Sequence, residues 1–207
     1  AAATSRRVAR HRPFGARLLR PALLRARPGG PVVARLGLRT RFGSPQVLAV
    51  VAERGGWLGV LSEHRPNGRL GWIPRRAARI VTEPYALRVD LSRRRLTVLR
   101  GGRVVRRVRV AVGAPGTATP TGRFAVTDLL RTGRADSPYG CCILALSGRQ
   151  PDLPQGWPGG DRLAIHGTGD EASVGSAASN GCLRARRGDA RWLLGHVTLG
   201  APVTIRA

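Results

Sequence analysis

The sequence predicts a mainly β protein: two successive modules of short strands, with one short helix close to the end. Three observations carry that expectation. From Val32 to about Val81, short apolar runs are separated by turn residues. From Tyr85 onward, apolar and polar positions alternate with a period of two. Only one stretch, Ala190, Leu193, Leu194 and Val197, shows apolar residues at helical spacing.

Residues 1–31 are rich in Arg, Pro and Gly, and Pro21 lies between the apolar pairs Leu18-Leu19 and Leu23-Leu24. A proline there breaks an amphipathic helix, so the stretch reads as a basic flexible linker. Runs at Val32 to Leu36, Val47 to Val51, Trp57 to Leu61 and Leu70 to Ile73 then predict the strands of a small barrel over residues 32–82. Asn67-Gly68 makes a hairpin turn between the repeated pairs Gly56-Trp57 and Gly71-Trp72. This pattern resembles bacterial SH3-like domains, and both tryptophans read as core or barrel-rim residues.

The second module, 85–207, opens with Leu87, Val89 and Leu91, continues with Leu96 and Val98, and turns at Gly101-Gly102 into Val104, Val108, Val110 and Val112. Further strands are expected at Phe124 and Val126, Ile143 to Leu146, Leu163 to Ile165, and Pro202 to Ile205. A Pro- and Gly-rich loop containing Trp157 runs from Ser147 to Asp161, and Asp189 is placed to cap the helix.

The 207 residues carry 36 arginines and no lysine against 11 acidic residues, a formal charge of +25. With 42% hydrophobic residues, the chain builds packed cores and is not wholly disordered. No run approaches ~18 consecutive apolar residues, the length a bilayer-spanning helix needs. The charge points to anionic partners, although part of it follows from a composition dominated by Ala, Arg, Gly, Leu, Pro and Val. Aromatic residues make up 4% and are not interleaved with the arginines, which argues against a specific nucleic-acid surface. No Gly-rich phosphate loop follows a strand and opens a helix. The absence of Met and the small residues Ala1, Ala2 and Ala3 read as a processed chain from which a secretory signal has been removed.

Three cysteines, Cys141, Cys142 and Cys182, are too few for a disulfide scaffold and lack the paired spacing of a zinc site. An odd count leaves at least one thiol free. His166 ends an apolar strand, and Cys182 follows a glycine in a turn, so both side chains are expected to project into a cleft. An imidazole that takes the proton of a thiol makes it a nucleophile. The N–H groups of Asn180, Gly181 and Cys182 in such a turn are candidates for an oxyanion hole, and Arg184 adds positive potential.

His166-Gly167-Thr168, followed by Ser179-Asn180-Gly181-Cys182-Leu183-Arg184, resembles the signature of the YkuD-type L,D-transpeptidase catalytic domain family. The resemblance runs from about Tyr85 to Arg206 and includes Val89-Asp90-Leu91-Ser92, Thr119-Pro120-Thr121-Gly122-Arg123-Phe124 and Tyr139-Gly140. It implies a β-sandwich with a short helix after the catalytic cysteine, in which Cys182 is the nucleophile, His166 the general base, and the Gly167 carbonyl orients the imidazole. Ser179, Asn180, Gly181, Arg184, Thr168 and Tyr139 are then the oxyanion and substrate-binding candidates, with no cofactor and no metal. The implied donor is a peptidoglycan tetrapeptide stem. Cys182 takes its acyl group as a thioester, D-alanine leaves, and the amine of a second stem completes a 3→3 cross-link. Reaction with water makes the same site an L,D-carboxypeptidase, and carbapenem-type β-lactams acylate it.

The resemblance further implies a secreted or cell-envelope bacterial protein, whose arginine-rich surface would also meet anionic wall polymers. A non-catalytic basic wall-binding protein is the alternative from another class. Asn180 stands where many members carry a second histidine, and Cys141-Cys142 stands where the family more often has proline or an apolar pair. Strand alternation is expected to turn one of these two thiols to the core and the other away, and a redox link from either to Cys182 would switch the site off. His11, His64 and His196 read as surface or satisfied histidines; Asp161, Asp170 and Glu171 read as loop carboxylates, with Asp170 or Glu171 alternatively meeting the acceptor amine. Trp157 is expected beside Tyr139 along the donor groove.

Overall fold

The computed structural model describes residues 14–133, 137–153 and 160–207. Its first unit is a seven-stranded sheet built from β1 (Phe14–Leu18), β2 (Ala22–Arg25), β3 (Val32–Leu36), β4 (Val47–Arg54), β5 (Trp57–Val60), β6 (Gly71–Pro74) and β7 (Ala78–Thr82). The strand order is β3-β2-β6-β5-β4-β1-β7. The expected linker over 1–31 is corrected from Phe14 onward, residues 1–13 lying outside the described residues: β1 is an interior strand paired on both sides, with β4 and with β7. Ala16, Leu18, Ala22 and Leu24 from β1 and β2 are buried with Leu36, Leu48, Leu58, Val60 and Ile73 in one core. Pro21 does break the chain there, but between two strands rather than inside a helix. Two strands this short show no periodicity of their own; β1 is decided by pairing with β4 and β7, and β2 by its hairpin with β3 and the Arg25–Trp72 pairing to β6.

The second unit contains β8 (Tyr85–Asp90), β9 (Arg95–Arg100), β10 (Arg103–Gly113), β11 (Gly122–Arg131), β12 (Cys142–Arg149), β13 (Arg162–His166), β14 (Ala177–Ser179), β15 (Leu183–Ala185), α1 (Arg187–His196) and β16 (Pro202–Arg206). The order β14-β10-β15-β13-β12-β11-β16-β8-β9 is closed by a further pairing of β9 with β10. Closure depends on the two longest strands. β10 pairs with β9 through residues 103–109 and with β15 through 110–111, while β11 pairs with β16 through 122–125 and with β12 through 126–131. Each therefore bends from one face to the other, and the expected sandwich is a flattened barrel whose two sheets share both edges. Its interior holds Phe124, Leu87, Leu96, Leu144, Leu146, Leu163 and Ile165, all nearly inaccessible.

The helix packs Ala190 and Leu193 inward, yet its N-cap is Arg186 rather than Asp189. Asp189 lies in the first turn, where a carboxylate favours the helix dipole, and its side chain accepts from Arg106 at 2.7 Å. No helix among the described residues is long and apolar enough to cross a membrane.

The two units meet through a small apolar cluster of Ala49, Leu61 and Ala125. Polar contacts surround it. Asn67 exchanges hydrogen bonds with the Arg149 backbone at 2.7 and 3.0 Å, Thr40 donates to Asp128, and Thr198 donates to Glu83 at 2.5 Å.

Candidate active site

β13 and β15 run parallel, with Ile165 opposite Leu183 and His166 opposite Arg184. This register brings the end of one strand beside the turn that enters the other. His166 and Cys182 thereby line a single cleft of about 430 Å³, together with Tyr139, Gln150, Arg162 and Arg184. Ser179 and Asn180 also border it.

His166 is buried, and its Nδ1 lies 2.5 Å from the Gly167 carbonyl oxygen. A carbonyl only accepts, so Nδ1 carries the proton and Nε2 keeps its lone pair. Burial, outweighing that hydrogen bond, pushes the His166 pKa down to about 4; the Arg184 charge acts in the same direction. Tyr139 packs edge-on against the imidazole, ring centroids 5.1 Å apart. Burial pushes the Cys182 thiol up, with a backbone hydrogen bond from the β13 side and Arg184 acting the other way. Its Sγ lies 3.8 Å from the Arg162 carbonyl. Both shifts favour the neutral forms at neutral pH, a thiol and an unprotonated imidazole.

The turn that presents Cys182 is held from several directions. Ser179 Oγ donates to the Cys182 carbonyl at 2.6 Å and accepts from Gly181 N–H at 3.1 Å. Thr119 Oγ1 donates to the Gly181 carbonyl at 2.9 Å, and Gly113 N–H donates to the same hydroxyl at 2.8 Å. Gly181 has φ 107°, and a Cβ there would lie 2.3 Å from Gln150 Nε2. What glycine admits at this position is the Gln150 amide, which itself donates to the Thr117 and Ala118 carbonyls at 2.9 Å. The Gly181 N–H, expected among the oxyanion-hole donors, is engaged by Ser179 Oγ instead.

Thr168 is also displaced from its expected place. Its hydroxyl accepts from Asp170 N–H at 3.0 Å and does not line the cleft. Gly167 donates its N–H to the Cys142 carbonyl at 3.0 Å, which holds the strand end on β12. Cys141 and Cys142 are joined to each other in a disulfide, so the expected pair of separate packing thiols is corrected, and Cys182 is the free cysteine. Asp170 caps a 3₁₀ turn by accepting from Ser173 N–H, and Glu171 accepts from Arg187 N–H at 2.8 Å. Neither borders the cleft. Asp161 pairs with Arg149 at 2.6 Å, His196 stacks on Trp192, and His64 lies 3.9 Å from Glu63. Trp157 and His11 lie outside the described residues.

Arg162, Gln150 and Thr119 were not singled out from the sequence as site residues. Arg162 is the most consequential of them. Its guanidinium donates to the Leu146 carbonyl at 2.6 Å and Thr127 Oγ1 at 2.8 Å, and lies 3.6 Å from Glu63 of the first unit and 3.8 Å from Asp128. One of 36 arginines carries no local signal.

A family model described as the L,D-transpeptidase catalytic domain, YkuD, matches residues 84–205. The chain is 34% identical over 124 residues to the Bacillus subtilis (strain 168) protein named "Putative L,D-transpeptidase YkuD", covering 60% of this chain and 67% of that protein. It is 33% identical over 132 residues to "Putative L,D-transpeptidase YqjB" of the same organism, covering 59% of this chain and 71% of that protein. L,D-transpeptidase 3 from Mycobacterium tuberculosis is similar in fold, with a TM-score of 0.50 at 18% identity over 67% of this chain and 74% of that one. The same enzyme bound to a faropenem-derived adduct matches with a TM-score of 0.50 and 18% identity, over 67% of this chain and 73% of that one.

Proposed function

The chain belongs to the L,D-transpeptidase catalytic domain family, and from that premise we propose that it is a peptidoglycan L,D-transpeptidase that joins stem peptides by 3→3 cross-links through a Cys182 thioester. The observation that carries the proposal is the shared cleft in which a free thiol and a single-tautomer imidazole sit on neighbouring parallel strands.

The geometry supports the following steps. The stem peptide enters the cleft and places its third carbonyl against Cys182 Sγ. His166 Nε2 takes the thiol proton as sulfur attacks, and Arg184 favours the negative charge that develops. With Gly181 N–H occupied, the N–H groups of Asn180 and Cys182 are the turn's donors for the tetrahedral oxyanion. Because the His166 pKa is held near 4, its protonated form is a strong acid, suited to deliver the proton to the departing D-alanine amine. The thioester is then attacked by the amine of a second stem. His166 accepts the amine proton and returns it to sulfur as the new amide forms and Cys182 leaves.

This reading puts the enzyme at the bacterial cell envelope, outside the cytoplasm, with the 14–82 unit as an SH3-like wall-facing module. The test is intact-protein mass spectrometry after incubation with a carbapenem or penem. A stoichiometric adduct on wild type and on a variant keeping only Cys182, absent from Cys182→Ala, is expected. No adduct on folded protein overturns the nucleophile assignment.

A further inference from the structure

The turn between β8 and β9, the start of β9 and the middle of β10 surround a second cleft of about 320 Å³, separate from the one containing Cys182. Arg93, Arg94, Arg95, Arg107 and Arg109 line it, and no acidic residue does. Asp90 stands opposite Arg95 in the β8–β9 ladder and lies 3.6 Å from Arg93, but its carboxylate is already engaged by the Ser92 hydroxyl and the Arg93 N–H.

Two features go beyond a solvated basic face. Arg95 and Arg109 stand directly opposite each other in the antiparallel β9–β10 ladder, an arrangement that like charges disfavour. Arg95 Nε is also buried without a hydrogen-bond partner, although a buried guanidinium N–H ordinarily finds an acceptor. Both are relieved by one ligand: an anion that accepts from Arg95 and neutralises the pair. The Arg109 side chain is held in place for this, since a Cβ at Gly175 would lie 2.0 Å from Arg109 Nε, so the guanidinium packs directly over that glycine.

We propose that this cleft binds a phosphate group of a phosphodiester-linked wall polymer. Guanidinium groups approach from a turn and from two strands, which suits the several acceptor directions of a tetrahedral phosphate better than a planar carboxylate, which pairs side-on with one fork. A polymer fits better than a lone ion because the cationic surface continues on the same outward face to exposed Arg88, which, like Arg107 of the cleft, stands opposite Thr97. No aromatic side chain lines the cleft, so bases have nothing to stack on. The choice of a wall polymer over other phosphodiesters rests on the envelope reading above. Gly175 precedes β14, and β14 leads into the Cys182 turn, so bound polymer would hold the catalytic unit on the polymer-bearing wall.

The experiment measures binding of a fluorescent glycerol-phosphate oligomer of about ten units, on wild type and on Cys182→Ala, so that failure of the acyl-transfer reading leaves this result untouched. Arg95→Gln/Arg109→Gln should weaken binding about tenfold or more and reduce the salt-dependence slope by about two. An equal loss of two charges in the first unit, Arg75→Gln/Arg76→Gln, should change it less than about twofold. The Arg95/Arg109 variant removes a like-charge pair, so its melting temperature should not fall. Equal weakening by both double variants overturns the site in favour of diffuse charge. Equal affinity for polyglutamate overturns the phosphate assignment, and equal affinity for an oligothymidylate overturns the wall polymer as occupant. Binding of inorganic phosphate, read by calorimetry, without any binding of the oligomer overturns the polymer.

Discussion

At the scale of single residues, the site depends on two groups held neutral at rest. His166 has a pKa of about 4 in the fold against 6.5 when exposed. Between those values the unfolded chain binds a proton that the folded chain does not, so the stability contributed by neutral His166 is fully present above pH 6.5. It is lost as pH falls through about 4. The shift corresponds to roughly 3 kcal/mol, and His166→Gln should remove that part of the pH dependence in urea-unfolding curves. By the same reasoning, the rate of carbapenem adduct formation should stay flat from pH 7 to 5 and fall only toward 4. A profile with its acid limb near 6.5 would contradict a buried, neutral base. His166→Gln should slow adduct formation by about 10²- to 10⁴-fold, with the fold unchanged by circular dichroism. Gly181→Ala meets both a positive φ and the Gln150 amide, and should cost about 1–3 kcal/mol and slow acylation. Adding Gln150→Ala should recover part of that loss, since it removes the clash and leaves the backbone strain.

At the scale of elements, β13 is the strand through which the first unit reaches the site. Its first residue, Arg162, holds buried Glu63 and Asp128 and also lines the cleft that contains Cys182, while its last, His166, is the proposed base. Both carboxylates retain an oxygen with no hydrogen-bond partner, so the arginine is their main compensation. Arg162→Met should therefore destabilise by about 3–5 kcal/mol in denaturant titration. The triple change Arg162→Met, Glu63→Gln, Asp128→Asn should recover most of it, because no buried charge is then left unpaired. The strand itself was legible from Leu163, Ala164 and Ile165. Its electrostatic anchor was not, since the partners lie 99 and 34 positions away and ion-pair distance follows from packing alone.

At the scale of the whole molecule, the joint between the units contains a pH-sensitive group. Burial pushes the Glu83 carboxyl up from 4.5 to about 7, with the Thr198 hydrogen bond acting the other way. Above pH 4.5 the unfolded chain releases this proton while the folded chain keeps it. Stability is thus lost as pH rises from 4.5 toward 7, and the loss is complete above 7. Glu83→Gln should raise the melting temperature at pH 8 and leave it nearly unchanged at pH 4, by differential scanning calorimetry. An equal shift at both pH values would show that packing, not ionisation, sets the effect.

The sequence by itself determined the β class, most strands of the catalytic barrel and the family, because period-two alternation and the spacing from His166 to Cys182 are local properties of the chain. It also singled out His166 and Cys182, and with them Tyr139, Ser179, Asn180 and Arg184, all of which line the cleft. Tertiary structure alone decided that Phe14–Leu18 and Ala22–Arg25 are strands, since β1 is held by pairing with β4 and β7 and β2 by pairing with β3 and β6, with both buried in the shared core, rather than by a pattern of their own. It likewise decided that the sandwich closes through the bends of β10 and β11, that Gly181 makes room for Gln150, and that Arg95 faces Arg109. Register, bending and through-space distance arise only when separate strands meet, and none of the three is written in the order of residues along one strand.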